Sequence, residues 1–232
     1  MSTSGHTRVA VTHTIDQRFE RPVRLSTHWL RLRPAPQTRA RITAYSLALH
    51  PEPHFLNWVR DPFENHLARL DLPEPAASLG IELEFIAELA PVNPFDFLTE
   101  PDAATCPFVY APQLRKELGP YLRLAAPGPR LATWLGQLDS TPAATVARLE
   151  AVNRQVHARH ALAPTVMPGP VDLEQVLAQG KGSPWELAWL LTLSFRHLGL
   201  AARFVYGYRI VLAPDPGMPD SVGLHAWSEV YL

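Results

Sequence analysis

Hydrophobic and polar side chains alternate with a period of two along much of the first 90 residues. The clearest run is 79–89, where the apolar positions and the glutamates fall on opposite sides: Leu79, Ile81, Leu83, Phe85, Ala87 and Leu89 against Glu82, Glu84 and Glu88. Similar alternation begins at Val9, and the segments 25–33 and 41–49 are strand-like. This pattern predicts an antiparallel β domain with one buried face and one solvated face.

A turn is predicted between the strand-like segments 54–60 and 66–72. Pro62 presets φ and Asn65 tolerates positive φ, so these segments are expected to form a hairpin. Arg31 and Arg33 alternate with leucines, which favours a solvated strand face over a binding site.

The apolar period becomes helical from about residue 112. One amphipathic helix is predicted to end at 125–129, and a second to begin at Thr141 and Pro142. A short helix follows Asp172 and is expected to end at Gly180, because glycine readily adopts the left-handed conformation of a helix C-terminus.

The segment 184–198 is apolar on almost every side, which predicts a helix buried in the core. Ser183, Pro184 and Glu186 form the sequence of a capping box with proline in the first helical position. The alternating segment 202–212 and a further segment from residue 224 predict strands after this helix. The order of elements indicates an α+β fold in this half of the chain.

Composition narrows the function classes. The 232 residues carry a formal charge of −1 and show no basic stripe, so the charge pattern gives no reason to expect nucleic acid as a partner. No stretch is long and apolar enough to suggest a membrane span or a leader peptide, so we expect a cytoplasmic protein. The single cysteine, Cys106, excludes an internal disulfide.

Two segments carry a family resemblance: Gly182-Ser183-Pro184-Trp185-Glu186, and Leu224-His225-Ala226-Trp227-Ser228-Glu229-Val230-Tyr231. Together with Arg21-Pro22-Val23 and the region that follows it, they resemble the bacterial transglutaminase-like family. The resemblance implies an N-terminal antiparallel β-sandwich-like domain over residues 1–110. Residues 111–232 would then form a papain-like core of a helix and an antiparallel sheet, incomplete at its C-terminal end.

The family carries Gly-Ser-Cys-Arg-Asp where this chain has Gly-Ser-Pro-Trp-Glu. In the family, the cysteine attacks an amide carbonyl, a histidine transfers the proton, and an acidic residue beyond the end of this sequence orients the histidine. Pro184 occupies the position of the nucleophile and offers no nucleophilic atom. His225 matches the histidine, and alternation places it on one strand face with Trp227 and Glu229. We expect that face to point toward the start of the helix.

The resemblance therefore predicts a catalytically silent protein, a pseudoenzyme, that binds a peptide or a protein partner through the former catalytic cleft. Ser183, Trp185, Glu186 and Trp227 are the candidate cleft residues, and His225 is a relic of the general base. Members of the family occur beside ATP-grasp proteins and helical α-E proteins, which the resemblance implies as partners.

Two alternatives stay open. The first is a cysteine peptidase or acyl transferase whose nucleophile is Cys106 or comes from another chain. The second is a shortened, non-functional family member that self-associates through an exposed sheet edge. No cofactor or metal is expected, because His157 and His160 are spaced i, i+3 without the further ligands of a zinc site.

Overall fold

A computed structural model describes residues 7–93, 98–164, 171–212 and 220–232. The chain divides into two units, residues 1–96 and 97–232. The sequence placed this boundary between residues 110 and 111, whereas the contacts group residues 97–110 with the second unit. One such contact is made by Tyr110, whose hydroxyl donates to the carbonyl oxygen of Tyr231 at 2.8 Å and accepts from the N–H of Ala201 at 2.9 Å.

The first unit is built from strands. They are β1 (Thr7–Val23), β2 (His28–Leu30), β3 (Arg41–His50), β4 (Phe55–Arg60), β5 (His66–Asp71) and β6 (Ala76–Leu89). Two antiparallel sheets form, in the orders β1-β6-β3 and β2-β5-β4. Leu70 from one sheet and Leu49, Leu79 and Ile81 from the other share a buried cluster. The predicted sandwich-like arrangement is confirmed.

Alternation along β6 has the predicted consequence. Leu83 is fully buried and Phe85 is 5 % exposed, whereas Glu82 and Glu84 are exposed. β6 lies between β1 and β3, so its apolar side chains occupy the centre of their sheet. Burial of each large apolar side chain contributes roughly 1.5–3 kcal/mol.

The hairpin between β4 and β5 also forms as predicted. Its turn is stabilised by the carboxylate of Asp61, which accepts from the N–H groups of Phe63 at 2.8 Å and Asn65 at 2.9 Å. Positive φ, however, falls on Glu64 (64°) and not on Asn65. The side-chain amide of Asn65 instead donates to Asp61 at 2.9 Å, which keeps Asn65 in the closing position of the turn.

The strand predicted over 25–33 is shorter, since β2 spans only His28–Leu30. Arg33 lies beyond it, with its guanidinium stacked against the rings of Tyr45 and Trp58. Arg33 is exposed, as predicted, but it lies outside the strand and its guanidinium contacts two aromatic rings. This cation–π stacking joins residues distant in sequence, which alternation within one segment does not reveal.

The second unit combines helices with short strands. After a 3₁₀ turn (Pro101–Ala103), its elements are β7 (Thr105–Cys106), α1 (Pro112–Glu117), α2 (Gly119–Leu122), α3 (Pro129–Gly136), β8 (Ala143–Ala144), α4 (Thr145–Arg159), β9 (Ala161–Leu162), α5 (Leu173–Gln179), β10 (Lys181–Gly182), α6 (Pro184–His197), β11 (Ala202–Val211) and β12 (Ser221–Val230). The predicted α+β class is confirmed.

Two helix boundaries differ from the prediction. Helix α4 begins at Thr145 and not at Thr141, because residues 143–144 pair with 105–106 as a short antiparallel ladder. Pro129 starts helix α3, where the sequence suggested only the end of the preceding helix. The carboxylate of Glu174 accepts from the N–H groups of Arg130 and Leu131, both at 3.0 Å, and so caps α3 from a distant segment.

Helix α6 lies in the centre of the second unit's core. Leu190 is fully buried, and the indole N–H of Trp134 on α3 donates to the Ser194 hydroxyl at 2.9 Å. Helix α5 begins at Asp172, whose side chain accepts from the N–H of Gln175, and it ends at Gly180 with φ of 63°. Both predicted ends of α5 are confirmed. None of the helices in the described ranges is long and apolar enough to cross a membrane.

Candidate binding site at the start of helix α6

The first turn of α6 is closed by a complete capping box. The Glu186 carboxylate accepts from the Ser183 N–H at 2.8 Å and from the Ser183 hydroxyl at 2.9 Å. The Ser183 hydroxyl oxygen in turn accepts from the Glu186 N–H at 3.4 Å. Pro184 occupies the first helical position, where a missing N–H costs nothing. Both polar side chains of this turn are therefore engaged in holding the helix end.

Trp185 packs on strand β11. Its ring centroid lies 5.6 Å from that of Phe204 and 4.9 Å from that of Tyr206. Trp189, one turn further along α6, meets Phe204 edge-on at 6.0 Å. We call Trp185, Phe204 and Tyr206 the aromatic cluster. All three side chains are half-buried, and the indole nitrogen of Trp185 is buried without a hydrogen-bond partner among the described residues.

The face of β12 that meets α6 carries Ala226 and Ser228. Ala226 is 5 % exposed, and the Ser228 hydroxyl lies 3.1 Å from that of Thr192 on α6. Ala226 pairs with Tyr206, a member of the aromatic cluster, whereas His225 pairs with Gly207. Because successive residues of a strand point to opposite faces, His225 lies on the face away from α6.

Trp227 shares the far face with His225. A Cβ atom placed on Gly207 would lie only 3.0 Å from Cη2 of Trp227, so the indole covers Gly207 on that side. The prediction that His225 and Trp227 point toward the start of the helix is therefore wrong. The pairing register decided this: it places the even-numbered residues of β12 against α6.

Charges on the far face are paired with each other. The Glu229 carboxylate accepts from Arg203 at 2.8 Å and 2.6 Å, and from the indole N–H of Trp227 at 3.0 Å. This carboxylate therefore orients Arg203 and Trp227. Among the contacts of the described residues, it makes none with His225. Of the six residues singled out from the sequence, Ser183, Pro184, Trp185 and Glu186 lie together at the start of α6, whereas His225 and Trp227 lie on the far face of β12.

Cys106 is buried, with 3 % exposure, in the hydrophobic core of the second unit. Burial raises the pKa of its thiol, and the positive charge of Arg148 offsets this only in part. A thiol in such surroundings is protonated near neutral pH and is a poor nucleophile.

The two histidines that the sequence placed close together have different surroundings. His160 is buried, its Nδ1 lies 3.0 Å from the carbonyl oxygen of Val156, and its ring meets Trp134 edge-on at 5.2 Å. His157 is exposed. Within the described ranges no group of three or more histidine, cysteine, aspartate or glutamate side chains is arranged to hold a metal ion.

Sequence reasoning missed two members of this site, Phe204 and Tyr206. Alternation did place them on one face of a strand. Their contact with Trp185 depends on how β11 packs against α6, for which the sequence carries no local signal.

A capped helix packed on an antiparallel strand pair, in a chain that also contains a β-sandwich unit, is typical of the papain-like α+β class. Two family models match this chain: the bacterial transglutaminase-like N-terminal region over residues 9–88 and the transglutaminase-like superfamily over residues 132–232. These two matches confirm the resemblance to the bacterial transglutaminase-like family that the motifs around Pro184 and His225 predicted.

Similar proteins are bacterial. Uncharacterised proteins of Mycobacterium tuberculosis and Mycobacterium bovis are 25% identical to this chain, with 98% of this chain and 74% of theirs covered. Among solved structures, a candidate cysteine protease from Cytophaga hutchinsonii superposes with a TM-score of 0.69 at 14% identity, covering 98% of this chain and 74% of that one. This likeness confirms the fold.

Proposed function

We propose that this protein is a catalytically silent transglutaminase-like protein that acts as a peptide- or protein-binding subunit. The observation that carries the proposal is Pro184 in the first position of α6, where the family has its nucleophilic cysteine. The side-chain atoms of the pyrrolidine ring are all carbon, and the lone pair of its nitrogen is delocalised into the peptide bond, so the residue has no group that can attack a carbonyl.

The neighbouring side chains support the proposal that the protein has no catalytic activity. Ser183 and Glu186 bind each other in the helix cap. His225 lies on the far face of β12, and a general base must come within hydrogen-bond reach of the group it activates. Cys106 is buried with a raised pKa, which counts against the alternative that this thiol performs the chemistry.

The aromatic cluster supports binding. Trp185, Phe204 and Tyr206 are half-buried aromatic side chains, of which Trp185 and Tyr206 also carry a polar group, and aromatic side chains are enriched where proteins contact partners. The indole N–H of Trp185, which has no partner among the described residues, would donate to a carbonyl oxygen of a bound chain after a small displacement.

The catalytic half of the proposal is tested with amide hydrolysis and transamidation assays, in which a glutamine peptide is offered with and without a primary amine. We expect no turnover above the blank for the wild-type protein, Cys106→Ala or His225→Ala. Turnover by the wild type that disappears in either variant would overturn the proposal.

The binding half is tested with fluorescent peptides of eight residues, measured by anisotropy. Trp185→Ala should weaken any saturable binding by roughly tenfold or more, the loss typical of a buried aromatic anchor. Trp29→Ala is the matched control, since Trp29 is 49 % exposed and belongs to the first unit. Equal affinity in wild type and Trp185→Ala would remove the aromatic cluster from the proposed site.

For the partners, the resemblance to the family motivates co-expression with an ATP-grasp protein and an α-E protein. We propose that a complex elutes from gel filtration earlier than this protein alone. Elution of this protein by itself in every combination would contradict that pairing.

A further inference from the structure

A groove of about 730 Å³ lies in the first unit, between the segment 33–40 and the start of β3. Its polar lining includes Arg33, Arg39, Arg41, Tyr45 and His66, and none of the described aspartates or glutamates contributes to it. Short apolar side chains, Pro34 and Ile42 among them, lie between the arginines. We call this feature the arginine groove.

Arg33 is held in place by aromatic rings. Its guanidinium carbon lies 5.3 Å from the ring centroid of Tyr45 and 5.5 Å from that of Trp58, and the two rings meet edge-on at 6.0 Å. These are cation–π contacts, and no described residue accepts a hydrogen bond from this guanidinium, so its N–H groups are available to a ligand. The arginine is thus ordered before anything binds, which lowers the entropy cost of binding.

Tyr45 lines the groove and carries a polar atom that is not used within the described residues. Its hydroxyl is buried and has no hydrogen-bond partner among the described residues. Burial raises the pKa of this hydroxyl to about 12, against the lowering effect of Arg33, so it keeps its proton at neutral pH. A buried hydroxyl without a partner is destabilising, and an acceptor atom of a ligand would remove this penalty.

The groove is positively charged. Arg41 contacts Glu88 at 3.3 Å, but in the described part of the chain neither Arg33 nor Arg39 has a carboxylate partner. The pKa of His66 is lowered, first by burial and then by the charges of Arg33 and Arg60, while Glu64 opposes them. The whole chain has a formal charge of −1, so this positive potential is local.

We propose that the arginine groove binds an extended acidic peptide segment, with carboxylates on Arg33 and Arg39 and an acceptor oxygen on the Tyr45 hydroxyl. A volume of about 730 Å³ is in the range that holds ligands much larger than a single small anion. Apolar surface between the arginines suits the aliphatic stems and small side chains of such a segment. The positive charge is confined to this groove and does not continue as a basic stripe along the chain, which favours a peptide ligand over nucleic acid.

This site lies in the first unit and shares no residue with the aromatic cluster. The failure of either proposal would therefore leave the other one intact. The probe is the peptide acetyl-Glu-Ala-Glu-Ala-Glu-amide, titrated into the full chain by calorimetry at low salt. The same peptide with glutamine in place of glutamate is the ligand control. We expect saturable binding of the acidic probe only.

Three variants refine the test. Arg33→Gln should weaken binding of the probe about tenfold, because the variant loses a charge-assisted hydrogen bond to a carboxylate. Tyr45→Phe keeps the aromatic ring next to Arg33 and removes only the hydroxyl. This variant should weaken binding of the probe about fivefold. Arg18→Gln removes an equal charge from an exposed arginine on β1 that pairs with Asp16 at 3.2 Å, and should leave affinity unchanged.

The proposal is overturned if the acidic probe does not saturate at millimolar concentration while circular dichroism shows a folded protein. Equal binding of the glutamine peptide, or wild-type affinity in Arg33→Gln, would also overturn it. Inorganic phosphate is titrated separately, and binding of phosphate without binding of the acidic probe would show that the occupant is not a peptide.

Discussion

Oγ1 of Thr192 on α6 lies 3.1 Å from Oγ of Ser228 on β12. Thr192 is fully buried and its hydroxyl also donates to the carbonyl oxygen of Ala188 at 2.8 Å, so this contact is part of the core. It fixes which face of β12 meets the helix. His225, an odd number of residues away on the same strand, must then lie on the other face.

Replacing the proline with the family's nucleophile should not restore catalysis. Pro184→Cys would place a thiol at the positive end of α6, where its pKa is lowered and labelling by iodoacetamide is fast. We nevertheless expect no amide hydrolysis or transamidation, because His225 is on the far side of the strand. Labelling rates and the two assays are measured on the same preparation.

The double variant Pro184→Cys with His225→Ala is the control for that experiment, and both proteins should behave alike. Turnover by Pro184→Cys that depends on His225 would show that the histidine reaches the helix start. That result would contradict the strand orientation described above.

The capping box should stabilise the second unit. Ser183→Ala removes the acceptor for the Glu186 N–H and the donor to the Glu186 carboxylate, and it should lower the free energy of unfolding by about 1 kcal/mol. Urea denaturation followed by circular dichroism gives this value. Gln113→Ala removes an exposed side-chain contact to Glu117 on α1 and should change stability by less than about 0.5 kcal/mol. Equal effects of the two substitutions would refute the role of the cap.

The thiol of Cys106 should be unreactive in the folded protein. Burial both blocks access and raises its pKa, so Ellman's reagent at pH 8 should label it slowly until urea unfolds the chain. Cys106→Ser, with no thiol, sets the background. Rapid stoichiometric labelling of the native protein would reopen Cys106 as a nucleophile.

Asp139 should make stability depend on acid pH. Hydrogen bonds from the Thr141 backbone and from Arg148 lower the pKa of its carboxyl from 3.8 to about 2. The folded state therefore binds this proton less readily than the unfolded state, and the stabilisation is complete above pH 3.8 and is lost as pH falls toward 2.

Nuclear magnetic resonance titration of the Asp139 carboxyl carbon checks the pKa directly. In Asp139→Asn the urea-denaturation midpoint should depend less on pH over the same interval than in the wild type. Asp102→Asn, which removes another exposed carboxylate, should keep the wild-type dependence. An unchanged slope in Asp139→Asn would exclude this contribution.

Local pattern predicted most elements of the fold and the start of the candidate site. Alternation located β6, and the Ser183, Pro184 and Glu186 triplet located the capping box, since both depend on residues close in sequence. Helix α3 was missed because its N-terminus is capped by Glu174, 44 residues from Arg130. The sequence did not predict the arginine groove either, because Arg33 contacts Tyr45 on β3 and Trp58 on β4, which are distant from it along the chain.

The sequence alone determined that residue 184 has no nucleophilic atom and that the surrounding motifs belong to a transglutaminase-like protein. Those conclusions rest on residue identity and short spacing. Only the tertiary structure decided that His225 lies away from α6 and that Trp185 packs on Phe204 and Tyr206. Alternation along a strand separates its two faces without saying which one is covered; packing of β11 and β12 against the helix makes that choice.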